Sequence, residues 1–240
     1  MDSVDTLLKH ALDALASKEG YAKRKQAYSQ EMSAAIASAF SEAVRQRGMR
    51  EALPAPPGSD GPSGSERRMA GGIGAKKVDV TWATEECGLI FSISVKTINW
   101  RDARSGNFQK NLTNRRGDLL FEAVTLHRRF PYAVVLGFLF LDVGALRDGT
   151  DLRNSTFHNA HQRLKLFTGR DDPGDREEQF ERLYIVLVDA DPQGSQATCY
   201  HVGDPAEPVS FEQAFHEAIV RVAERNPDFY EVDDGRITRL

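Results

Sequence analysis

Cysteine is nearly absent from this 240-residue chain, which has only Cys87 and Cys199. Two thiols that far apart make neither a disulfide scaffold nor a four-thiolate zinc site, so they read as reduced packing residues. Long apolar runs are missing too. The longest, Tyr132 to Leu141, has about half of the ~20 residues that a membrane-spanning helix requires. The start, Met1-Asp2-Ser3-Val4-Asp5, lacks the basic opening of a signal peptide, and a cytoplasmic protein is expected. Positive charge is not in surplus either: 31 Lys and Arg stand against 35 Asp and Glu, for a net charge of −4. Any hold on nucleic acid must therefore come from a local basic face. What is present, 40% apolar and 28% charged residues, suits one sizeable soluble domain, or one with a small appendage.

Residues 1–50 read as an N-terminal helical region. Leu7, Leu8, Ala11, Leu12 and Leu15 recur at helical spacing, and after Lys18-Glu19-Gly20 a second helix is expected from about Tyr21 to Arg47. Its apolar stripe is Met32, Ala35, Ile36, Ala39, Phe40 and Ala43. Residues 51–75, rich in Gly, Pro and Ser, read as a flexible loop. Residues 76–240 read as an α/β core that forms one domain together with 1–50. Two strands, Lys77 to Ala83 and Gly88 to Thr97, are expected to pair as an antiparallel hairpin across Thr84-Glu85-Glu86-Cys87. In the second, Leu89, Phe91, Ile93 and Val95 point one way and Ser92, Ser94 and Lys96 the other. A helix from about Thr113 to Arg129 precedes a doubly buried strand, Tyr132 to Asp142. A helix at Phe157–Phe167, strands at Leu183–Asp189 and Ala197–His201 and a helix at Phe211–Glu224 complete the pattern. The fold class is α/β or mixed α+β, a central mixed β-sheet flanked by helices.

Asp79 lies between Val78 and Val80, and Lys96 sits on the polar side of the neighbouring strand. A carboxylate there suits magnesium, which takes one or two carboxylates plus waters and phosphate oxygens. A lysine beside it holds an attacking water or stabilises charge growing on a phosphorane-like centre. The plainer alternative is a cross-strand ion pair worth roughly 0.2–1 kcal/mol. Val78-Asp79-Val80, with fourteen residues between Asp79 and Ser94, followed by Ser94-Val95-Lys96 resembles the core of the PD-(D/E)xK nuclease family, which includes many type II restriction endonucleases. The order strand, strand, helix, strand from Lys77 to Asp142, about a quarter of the chain, is similar as well, and Asn107 to Arg116 looks like restriction-enzyme sequence.

The resemblance implies a restriction endonuclease-like fold, magnesium-dependent hydrolysis of DNA with manganese as a substitute, and a homodimer acting on double-stranded DNA, with the N-terminal helices as a candidate interface. It makes Asp79 the metal ligand and Lys96 the residue that orients the water. Ser94 stands where the family usually has Glu or Asp. The missing carboxylate is expected from the N-terminal helix, first from Glu42 and next from Glu31, which lie eleven residues apart on nearly the same helix face; Glu122 is a further substitute. The other readings are a nuclease-like fold that binds DNA or a protein without cutting, and a ribonuclease built on the same core.

Between Lys96 and Arg129, eight Lys and Arg residues are opposed only by Asp102, Asp118 and Glu122. Arg101, Arg104, Lys110, Asn111, Arg115 and Arg116 are the residues expected near DNA, Arg and Asn being suited to phosphates and base edges. His158 and His161, three apart on a helix, lack a third zinc ligand. Gly71 to Lys77 lacks the spacing of a phosphate-binding loop.

Overall fold

The computed structural model describes residues 2–56, 58–59, 67–72, 74–190 and 194–240, and for 67–71, 75 and 76 the backbone alone. The class is α+β. The chain begins with α1 (Val4–Asp13), opened by Ser3, whose side chain accepts the Thr6 N–H, and α2 (Lys25–Gln46). A hairpin of β1 (Arg67–Gly71) and β2 (Gly74–Val78) leads into β3 (Val80–Thr84) and β4 (Gly88–Ile98). Then α3 (Leu112–Arg129) carries the chain to β5 (Val134–Asp142), and α4 (Thr156–Leu164) to β6 (Arg182–Asp189). The chain closes with β7 (Gln196–His201), β8 (Pro208–Val209), α5 (Phe211–Arg225) and a hairpin of β9 (Tyr230–Asp233) and β10 (Arg236–Arg239).

Strands β3 to β8 form one six-stranded mixed sheet in chain order. Its centre, β4-β5-β6, is parallel, with antiparallel pairs on either side. Parallel neighbours need crossovers, and here they bring helices onto the sheet. Along β5, Val134, Leu136, Phe138 and Phe140 pack on one side with Leu8, Met32, Phe40 and Phe215. The intervening Val135, Leu139 and Leu141 pack on the other with Leu119, Leu126 and Phe157. The continuous apolar run is thus buried on both faces, as expected. At Gly137 a Cβ would lie 2.3 Å from Leu183 Cδ2, so a side chain fits there only if the buried Leu183 shifts. Among the described residues no helix is long and apolar enough to cross a membrane.

Several sequence expectations shift. The segment 51–75, read as loop, contains β1 and the start of β2; its residues at 57, 60–66 and 73 lie outside the described ones. Asp79 is a bend between β2 and β3 rather than a mid-strand residue. Leu89 does not join Phe91, Ile93 and Val95. The pairs Trp82↔Phe91 and Ala83↔Leu89 leave Ile90 as an extra residue, and this bulge turns Leu89 to the α3 side. The helix expected to reach Phe167 tightens after Leu164 into a 3₁₀ turn. The β9–β10 hairpin is not among the expected elements; it turns at Asp234-Gly235, whose φ values of 45° and 71° suit a tight turn. The apolar stripes of α1 and α2, including Val4, Leu8, Leu12, Met32, Ile36 and Phe40, are buried in one core with residues of the sheet.

Candidate active site

The bend at Asp79 is where the chain leaves the β1–β2 hairpin and joins the edge of the main sheet. The turn lets the carboxylate cross to β4, and Asp79 Oδ2 accepts the Val95 N–H at 2.7 Å. Two-residue periodicity puts Ser94 and Lys96 on the same side of β4, the side covered by α3. Lys96 Nζ donates to Ser94 Oγ at 2.7 Å. The same ammonium lies 3.1 Å from Glu122 Oε2 and 3.5 Å from Asp79 Oδ2. Glu122 is on the inner face of α3 with Leu119, Ala123 and Leu126, so the helix that covers the sheet delivers a carboxylate with its apolar stripe.

Lys96 and Asp79 retain 13% and 12% side-chain exposure, whereas Glu122 has none. Burial works against the lysine's charge, but Glu122, and after it Asp79, outweigh burial and raise its pKa above the ordinary value. Lys96 is therefore an ammonium at neutral pH. In this form it donates hydrogen bonds and can stabilise negative charge.

Asp79 and Lys96 open onto a cavity of about 710 Å³. Val95 and Thr97 form its floor with them, Lys77 and Arg115 flank it, and α2 covers it with Gln26, Ser29, Gln30, Ser33, Ala34 and Ala37. Those six positions follow the i, i+3, i+4 spacing of one helix face. The start of α2 is fixed over the end of β4 by two hydrogen bonds, Asn99 Nδ2 to Ser29 Oγ at 3.1 Å and Trp100 Nε1 to the Lys25 carbonyl at 3.2 Å.

This geometry corrects the expected carboxylate set. Glu31 follows the cavity-lining Gln30 by one residue, a rotation of about 100°, Glu42 lies beyond Ala37, the last α2 residue on the cavity, and neither acid lines it. Glu31 accepts the Tyr21 hydroxyl instead. Glu42 is held by Gln46 at 3.0 Å and Arg45 at 2.9 Å, and those partners, Gln46 first, lower its pKa against the effect of burial. Ser94 is fully buried and bonded to Lys96, so it holds the lysine and does not line the cavity. The acid that reaches the lysine is Glu122.

Among the described residues no group of three or more His, Cys, Asp or Glu side chains is placed to hold a metal ion. Asp79 is the one carboxylate among the described residues that lines the cavity. With the Val95 carbonyl, 3.4 Å from Lys96 Nζ, it offers hard oxygen donors of the kind magnesium takes alongside water and phosphate oxygens.

The basic residues divide. Arg115 lines the cavity, with its Nη1 3.1 Å from Asp118. Asn111 and Arg115 line an adjoining depression with Thr113 and Asn114. Lys110 pairs with Asp102 at 2.6 Å and, as the first cause, holds that acid's pKa down to about 2. Arg101 lies 5.2 Å over the Phe108 ring. Arg104 and Arg116 are exposed. The three acids of this stretch, Asp102, Asp118 and Glu122, are each paired with a cation from the same stretch. Arg128 pairs with Glu177 outside it, so the local positive excess rests on Arg101, Arg104, Arg116 and Arg129.

His158 and His161 line a separate cavity of about 290 Å³. His161 Nδ1 accepts the Gly203 N–H at 3.1 Å, and burial first, then His158, lower its pKa to about 4. Sequence reasoning missed Lys77 and the α2 face. Gln26, Ser29, Gln30 and Ser33 were visible as a polar stripe at helical spacing, but only the fold shows that the stripe meets a lysine. No protein-family model, no curated protein and no solved structure matches the chain.

Proposed function

We propose that the protein is a magnesium-dependent endonuclease that hydrolyses phosphodiesters in DNA, as the resemblance to the PD-(D/E)xK nucleases implies. The observation that carries this reading is the approach of Lys96 Nζ to within 3.5 Å of Asp79 Oδ2 on the wall of one open cavity. Asp79 and the Val95 carbonyl would hold the ion. When bound, magnesium supplies Lewis acidity and a water of lowered pKa. The Lys96 ammonium would orient an attacking water through a hydrogen bond and stabilise the charge that develops on the phosphoryl oxygens. Ser94 and Glu122 fix the lysine's position, and Glu122 keeps it charged. Lys77 and Arg115 meet the flanking phosphates. Double-stranded DNA as substrate, a two-fold pair of copies to cut both strands, and restriction or phage defence as the setting belong to the same reading.

The test uses purified wild type, Asp79→Asn and Lys96→Ala with plasmid DNA and magnesium or manganese. Cleavage by the wild type and loss in both variants, with unchanged far-UV circular dichroism, is expected; cleavage retained in both variants defeats the reading. A second reading, a DNA-binding module that does not cut, draws on the single described carboxylate lining the cavity. It expects no magnesium or manganese uptake in calorimetry, with or without DNA. An RNA substrate in the same assay separates the ribonuclease alternative.

A further inference from the structure

We propose that Gln26 and Gln30 are specificity-determining residues that read the edge of the nucleobase next to the scissile phosphate. This deepens the nuclease reading and rests on it for the location of that phosphate. The cavity has two chemically different walls. One side bears Lys96, Lys77 and Arg115, all cationic, around the carboxylate of Asp79. The other is the α2 face, which presents Gln26, Ser29, Gln30 and Ser33 and no charged side chain to the cavity. Phosphates satisfy the cationic wall, and contacts to them carry no sequence information. A nucleotide seated there turns its base away from the cations and toward the uncharged wall.

Glutamine amides carry a donor and an acceptor side by side, the pattern that pairs bidentately with adenine or similar base edges. Gln26 and Gln30 are four apart, stand one turn above the other on the same face, and are both exposed. Ala34, the next cavity residue along this face, is small and exposed, which leaves room for a ring. The reading wall is also tied to the sheet at its start. The Asn99–Ser29 and Trp100–Lys25 hydrogen bonds fasten α2 to the strand that carries Lys96, three residues before Asn99. The Lys18 and Lys25 ammonium groups, 4.9 Å and 5.2 Å from the Trp100 ring, reinforce this junction. Discrimination by a few hydrogen bonds requires such fixed geometry.

The experiment is binding selection from a random-sequence DNA pool by the full chain, with calcium in place of magnesium so that binding is read without cutting. Wild type, Gln26→Ala and Gln30→Ala are compared, with circular dichroism confirming the fold of each. The wild type is expected to enrich a short sequence. Each alanine variant should flatten the preference at one or two adjacent positions and weaken binding of the preferred sequence about tenfold, while other sequences bind as before, since a bidentate base contact is worth ~1–3 kcal/mol. Identical preferences in all three proteins, uniform weakening across all sequences, or a wild type without preference or binding would each overturn the proposal. Cleavage of the enriched sequence with magnesium is scored separately. A base preference lost in the Gln variants, without any cutting by the wild type, would retain the reading face and reject the endonuclease.

Discussion

Glu122 Oε2 lies 3.1 Å from Lys96 Nζ, so a carboxylate from α3 reaches the lysine that Ser94, two residues before it on β4, meets only with a hydroxyl. The negative charge absent from the strand is supplied from the helix that covers it. Glu122 is fully buried and Lys96 nearly so, and removing one partner of such a pair leaves the other charged in a poorly solvated place.

The first prediction is an exchange of charge between strand and helix. Glu122→Gln is expected to destabilise by about 3 kcal/mol, the scale for breaking a buried pair. Ser94→Asp alone adds a second buried carboxylate beside Glu122 and is also expected to destabilise. The double variant restores one acid, besides Asp79, to the lysine, and it should be more stable than the sum of the single effects by at least 1 kcal/mol. Urea unfolding of the four proteins measures this coupling. Strict additivity would mean that acids at positions 122 and 94 do not serve Lys96 interchangeably.

Position 94 also shows how far the sequence reaches. Period-two alternation placed Ser94 and Lys96 on one side of a strand, and apolar spacing placed Glu122 on a helix, because both patterns are local. Which acid meets Lys96 depends on the rotation of α3 against β4, set by the packing of Leu119, Ala123 and Leu126, and no local pattern encodes that. Glu42 and Glu31 misled for a related reason. They share a helix face with each other, but the face that meets the sheet end is set by how Met32, Ile36 and Phe40 seat in the core. The central strand β5 was legible because burial on both faces leaves an unbroken apolar run, whereas the bulge at Ile90 appears only in the pairing with β3.

Gly137 supplies a prediction about packing. A Cβ at this position would come within 2.3 Å of Leu183 Cδ2 and 3.1 Å of the Phe180 ring. Both neighbours are in the core, with 1% and 0% exposure. Gly137→Val is expected to cost about 3 kcal/mol, the upper end for overpacking, and to lower the melting temperature by several degrees. An unchanged melting temperature would show that β5 and β6 separate more easily than their packing implies.

His161 gives a pH dependence. Its folded pKa of about 4, depressed chiefly by burial, lies below the ordinary 6.5. The unfolded chain therefore takes up the proton first as pH falls. The stability that neutral His161 contributes is fully present above pH 6.5 and declines toward pH 4, by roughly 3 kcal/mol for a shift of that size. His161→Gln keeps an acceptor for the Gly203 N–H and removes the titration. Its stability, followed by urea midpoint against pH, should lose this step between 6.5 and 4.

Glu181 gives a second step at lower pH. Its carboxylate is 3.0 Å from Arg170 Nη1, 2.5 Å from Arg225 Nη1 and 3.3 Å from His127 Nε2, and it accepts the Val135 N–H at 2.6 Å. Burial alone would raise its pKa, but His127, Arg225 and the Val135 N–H together hold it at about 2, below the ordinary 4.5. For an acid with a depressed folded pKa, the stabilisation is present above 4.5 and is lost as pH falls toward 2. Glu181→Gln removes this step. It also leaves Arg170 and Arg225, with 1% and 4% side-chain exposure, without their shared carboxylate, for a cost of about 3–5 kcal/mol at neutral pH. The two acid windows, 6.5 to 4 for His161 and 4.5 to 2 for Glu181, barely overlap. A wild-type stability profile should therefore fall in two stages, each abolished by its own substitution. One stage that survives both substitutions would assign acid unfolding to other groups.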